Sequence, residues 1–206
     1  MVGAIAFWAV QGLWGWTWAK ITGPPGLTAY TPGPGGCVPR YHGDVPEQDP
    51  GTAEGVPITA KGYRPAELPL TLQAKTDEAI VVTGVEVEVR SSQDSPTLGT
   101  VTDPHGCGGG MNARKFDVRL TQTPVPVVAA AGSGSKAKDF PFTVSASDPK
   151  QLSLRLDPSD QDIRFSVKVE WVADGEYGSV TLDNDDAREP ADRGQGYRVM
   201  GRPELP

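Results

Sequence analysis

From Leu68 onward, apolar and polar residues alternate at a period of two, the mark of strands that bury one face. Leu68, Leu70 and Leu72 open the series. Val85, Val87 and Val89 interleave with Glu86, Glu88 and Arg90, and Phe116, Val118 and Leu120 interleave with Lys115, Asp117 and Arg119. Phe140, Phe142 and Val144 predict another strand, as do Leu152, Leu154 and Leu156. The longest run is Ile163, Phe165, Val167, Val169 and Trp171, spaced by Arg164, Ser166, Lys168 and Glu170, and Val180 with Leu182 follows it. Asp174-Gly175 between the last two is a two-residue hairpin signal. No stretch of helical period competes. The expected fold is mostly β, an antiparallel β-sandwich over 65–206 with an immunoglobulin-like arrangement among its forms. Its core is expected from Val85, Val87, Phe116, Val118, Phe142, Ile163, Phe165, Val167, Val169 and Trp171. Residues 129–139, AAAGSGSKAKD, read as an exposed loop.

The chain opens differently. Residues 1–19, MVGAIAFWAVQGLWGWTWA, carry no charge, and a helix made of them has no polar face to turn to water. At the α-helical rise they span roughly 28 Å, about the thickness of a bilayer's hydrocarbon core. Trp14, Trp16 and Trp18 crowd the end next to Lys20, where indole rings favour the headgroup level. No basic residue precedes the apolar run and no clean small-x-small site follows it, which sets a retained transmembrane helix above a cleaved signal peptide.

All charge therefore falls after position 19, and the formal net charge is −7. Without a block of Lys and Arg, nucleic acid is not an expected partner. Residues 22–57 hold sixteen Gly and Pro in thirty-six positions, which removes amide donors and predicts an extended spacer over 20–64. The two cysteines, Cys37 and Cys107, sit among Gly and Pro. A disulfide is the simplest reading and calls for an oxidising compartment, hence a domain outside the cytoplasm. Two alternatives stay open: free thiols, and a zinc set of Cys37, His42, His105 and Cys107, whose spacing departs from known fingers.

The segments VVTGVEVEVR, GCGGG before RKFDVRL, FPFTVSASDP and VKVEWVADGEYGSVTLDN together resemble a group of uncharacterised actinobacterial membrane proteins. In that group a similar domain follows a transmembrane helix, sometimes behind a cytoplasmic DNA-binding module. The resemblance covers roughly Ile80 to Asp183 and implies an extracytoplasmic β domain with a recurrent Cys107 loop; it brings no activity, substrate or catalytic residue. The insertion NDDAREPADRGQ before GYRVMGRPELP departs from it and leaves the register of a last strand undetermined.

Catalytic equipment is sparse. The two histidines flank the cysteines, and GSGSK at 132–136 is not a strand-turn-helix nucleophile site. GCGGG lacks the Lys and Ser/Thr of a phosphate loop. No catalytic residue or cofactor is assigned. Calcium at Asp183, Asp185 and Asp186 is the weaker alternative, and Asp157, Asp160 and Asp162 read as solvated turn carboxylates. The expected function is therefore that of a single-pass membrane protein presenting a binding or sensing module to an unknown protein or envelope component. A structural subunit of a membrane assembly is the alternative.

Overall fold

The computed structural model describes residues 26–43, 55–103, 113–131, 136–185 and 192–202. Among them the chain is mostly β, with thirteen strands and no α-helix. One sheet runs β1 (Leu27–Tyr30), β4 (Ala66–Ala74), β10 (Lys150–Asp157), β7 (Arg114–Arg119), β8 (Val127–Ala130). The other runs β6 (Val101–Thr102), β2 (Arg40–Tyr41), β3 (Val56–Ala60), β13 (Tyr197–Arg202), β11 (Gln161–Ala173), β5 (Ile80–Asp94), β9 (Phe142–Val144), with β12 (Glu176–Leu182) also on β11.

A single hydrophobic cluster takes residues from both sheets, the arrangement of a sandwich. β4 gives Leu68, Leu70 and Leu72, β10 gives Leu152, Leu154 and Leu156, and β11 gives Ile163, Phe165, Val167, Val169 and Trp171. Val85, Val87, Phe116, Val118 and Phe142 are buried in the same cluster. A fully buried Leu contributes about 1.5–3 kcal/mol relative to an exposed one, so facing rows of this kind dominate the stability. In β5 the inward parity changes between Val82 and Val85, because the register against β11 passes from Val82 opposite Trp171 to Gly84 opposite Glu170, leaving Thr83 as an extra residue. This bulge keeps both valines inside.

Two pairings correct the purely antiparallel expectation: β10 runs parallel to β7, and β13 runs parallel to β3. Alternation records which face of a strand is buried and carries no information on its neighbour's direction. After β7 the chain pairs back as β8, crosses to the other sheet as β9 and only then returns as β10, in the direction of β7.

The spacer expectation also needs correction. Three strands, β1, β2 and β3, fall within 20–64. β1 adds an antiparallel edge to β4, while β2 and β3 extend the second sheet around a smaller core of Ile58, Ala60 and Met200. Glycine and proline disfavour long central strands, yet pairs of two to five residues at a sheet margin survive them. Pro57, which has no N–H, precedes the point at which β3 starts to pair with β13, at Ile58.

β12 and β13 lie end to end along one side of β11: Leu182 faces Val167 and Tyr197 faces Phe165. Between these two strands the amide of Gly196 donates to the Asp183 carbonyl at 2.9 Å. β12 and β13 thus pair with consecutive stretches of β11. Gly201 is required there, since a Cβ on it would stand 1.8 Å from the Ser159 carbonyl oxygen. At the hairpin tip Asp174 (φ 50°) and Gly175 (φ 79°) adopt the left-handed pair of a type I′ turn. Across it, Gly178 faces Trp171, and a Cβ there would meet the indole at 2.4 Å.

Candidate functional site

β5 is longer than any partner on its outer side. β9 pairs only with Ile80–Val82, so among the described residues the edge of β5 from Thr83 onward has no strand beside it. Alternate residues of such an edge present unsatisfied N–H and C=O groups. A groove of about 800 Å³ follows this edge, walled on the other side by the β7–β8 turn, Leu120 to Val125, and by Val127 of β8. Val85, Val87 and Val89 supply an apolar floor; Glu86, Glu88, Ser166 and Lys168 supply a polar rim. Lys168 Nζ reaches Glu170 at 2.6 Å and Glu86 at 3.2 Å. Hydrogen bonds to Glu170 and then Glu86 hold its ammonium above the usual lysine range. With Lys168 shared in this way, Glu88 leaves the rim negative.

A second, polar cleft of about 450 Å³ opens elsewhere, among the β1–β2 connection, β2, the start of β3, β6, β11, β13 and Asn184, Asp192 and Gly196 between β12 and β13. Arg40, His42, Arg164 and Arg198 line it, with Asp192 as its lining carboxylate. Arg40 donates from Nη1 to the Gly55 carbonyl at 2.8 Å. His42 Nε2 lies 2.9 Å from Thr102 Oγ1, and its ring packs where a Cβ on Gly55 would stand. Arg164 pairs with Asp192 at 2.9 Å. Arg198 makes two bonds to Asp162, Nε to Oδ1 at 2.8 Å and Nη2 to Oδ2 at 2.7 Å. Gln93 Nε2 adds a third at 2.8 Å. Burial raises the Asp162 carboxyl pKa, but the bonds from Arg198 and Gln93 and the charges of Arg198 and Arg164 outweigh it and hold the group below the usual carboxylate range. The same bond holds Arg198 above its ordinary value, against a smaller opposing effect of burial.

Asp162, expected as a solvated turn carboxylate, is in fact 3% exposed and central to this network. Its neighbour Asp157 caps the Ser159 amide at 3.0 Å. Trp171 packs in the core rather than at either cleft. Among the described residues no group of three or more His, Cys, Asp or Glu side chains gathers to hold a metal. Asp186, His105 and Cys107 lie outside the described residues, as do Trp14, Trp16 and Trp18. Cys37 is not a free thiol. Among the described residues no helix is long and apolar enough to cross a membrane, and residues 1–19 lie outside them.

Neither cleft follows from a motif. The groove arises because β5 outruns β9, and the polar cleft draws on both ends of the chain. Comparison of the chain with family models, with curated proteins and with solved structures gives no match.

Proposed function

We propose that this chain is a single-pass membrane protein that presents an extracytoplasmic β domain as a binding module, and that the groove beside β5 receives an extended polypeptide segment. The observation that carries the reading is the open β5 edge lying in a groove with an apolar floor and a negative rim. An added strand satisfies edge amides and carbonyls, and alternate side chains then fall on opposite faces. Val85, Val87 and Val89 call for apolar residues on the inward side of the guest. Glu86 and Glu88 call for Lys or Arg on its outward side.

The uncharged 1–19 segment and its Trp14, Trp16 and Trp18 exit support the anchor. An extracytoplasmic location is supported by a Cys37–Cys107 disulfide, which we also propose. β2 and β6 pair at Arg40 and Thr102, so the chains leaving that pair toward Cys37 and Cys107 start side by side. That Cys37 is not a free thiol agrees with it.

Nine-residue peptides displayed on phage and selected against the full chain in nanodiscs are expected to alternate apolar with basic residues. Binding of the selected peptides should fall at least tenfold in Glu88→Lys and in Gln122→Trp, while the melting temperatures of both variants stay within about 2 °C of wild type, as for other exposed surface changes. Selected peptides without alternation, bound equally well by both variants, would refute the groove.

A further inference from the structure

The polar cleft shares no lining residue with the β5 groove, and it gathers positive charge in a chain of net charge −7. Of its three guanidinium groups, Arg198 is neutralised by Asp162 and Arg164 by Asp192. Arg40 is partly buried, and it donates a hydrogen bond to a neutral carbonyl, that of Gly55. Among the described residues no carboxylate lies within ion-pair distance of it. The cleft therefore holds one positive charge in excess, on a side chain held by the Gly55 carbonyl. His42 beside it is likewise held, through Thr102.

We propose that this cleft is a binding site for a small oxyanion, a phosphate or carboxylate group carried by a ligand of small-molecule size. A guanidinium presents paired N–H donors that match two oxygens of either group, and such charge-assisted bonds are about twice as strong as neutral ones. Partial removal from water strengthens the attraction further. A volume of about 450 Å³ exceeds what a bare ion fills and falls in the usual range for small-molecule sites. The cationic anchors come from different strands, Arg40 from β2 and Arg164 from β11, and Asp192, between β12 and β13, pairs with Arg164.

The test is titration of the full chain in detergent with inorganic phosphate and, separately, with acetate, both at ionic strength held constant with sodium chloride. The readout is the arginine Nε–Hε resonances. Saturable shifts of Arg40 and Arg164 are expected with at least one of the two anions, and whichever saturates at lower concentration identifies the ligand group. Arg40→Gln should weaken that binding at least tenfold and Arg40→Lys should weaken it less, whereas Arg90→Gln, on the surface of β5, should leave it unchanged. Should Arg40→Gln lower the melting temperature, Arg40→Lys against Arg90→Gln still decides the matter. Shifts that sodium chloride reproduces, or an affinity indifferent to both Arg40 variants, would overturn the site while leaving the β5 groove untouched.

Discussion

Replacing Arg198 by Met tests whether the buried carboxylate of Asp162 depends on its guanidinium partner. Asp162 has a side chain 2% exposed, and the substitution removes two of its three charge-assisted bonds while leaving Gln93 and the more distant charge of Arg164. Breaking a buried pair from one side costs about 3–5 kcal/mol, because a charge is left desolvated without compensation. The surviving partners and the partial exposure of Arg198, 31%, place the expectation at the lower end, roughly 3 kcal/mol. For a domain of this size that lowers the melting temperature by about 6–12 °C. In wild type the Asp162 pKa is depressed in the folded state, so its contribution is complete above the ordinary carboxylate pKa and is lost as pH falls below about 4. In Arg198→Met, burial acts with little opposition and the folded pKa rises. The penalty is then largest at neutral pH and shrinks as acid neutralises the carboxylate. Thermal melts of both proteins between pH 4 and 7.5 should therefore converge at the acid end. The double variant Asp162→Asn/Arg198→Met should be more stable than Arg198→Met alone. A gap independent of pH, or a double variant no better than the single, would show that the pair does not work as described.

Two further outcomes concern the scaffold. Gly201→Ala should cost more than about 3 kcal/mol in chemical denaturation, because its Cβ would overlap the Ser159 carbonyl oxygen, whereas Gly84→Ala should fall within about 0.5 kcal/mol, its Cβ meeting nothing nearer than Glu170 Oε2 at 4.0 Å. Denaturing mass spectrometry of the unreduced full chain should show a gain of two hydrogens on reduction, and Cys37→Ser should destabilise by up to about 4 kcal/mol, the loop-closure value for a bridge across about seventy residues. An unchanged mass would remove the proposed disulfide.

How much of this could be read from sequence depended on whether the information was local. Strands β4, β7, β10 and β11 were legible because their inward rows repeat every second residue, and the Asp174-Gly175 turn was legible because its chemistry resides in two adjacent residues. β1, β2 and β3 were not, since each is too short for a period to show and is held by remote partners. The parallel pairs left no trace because direction does not alter alternation. Asp162 was misread for a related reason: it precedes the buried Ile163 and by alternation should point to water. It does point away from the core, but Arg198 and Gln93 cover that face. The one local hint was Arg198 itself, a lone cation inside the otherwise apolar GYRVM. Trp171, by contrast, was placed correctly in the core from its phase with Phe165.

The position of β1 bears on how the domain would respond to mechanical load. Among the described residues, a pull on the chain from its N-terminal side acts first at Leu27, where four residue pairs join β1 to β4 at the outer edge of the sheet. Edge strands of that length peel away pair by pair under small force, long before the buried rows of β4 and β10 are strained. The next points to take tension are the Gly35–Glu67 bridge and, two residues beyond, Cys37. Covalent closure at Cys37 would stop the unravelling there, so that β1 serves as a short extensible strap and the sheets behind it stay intact.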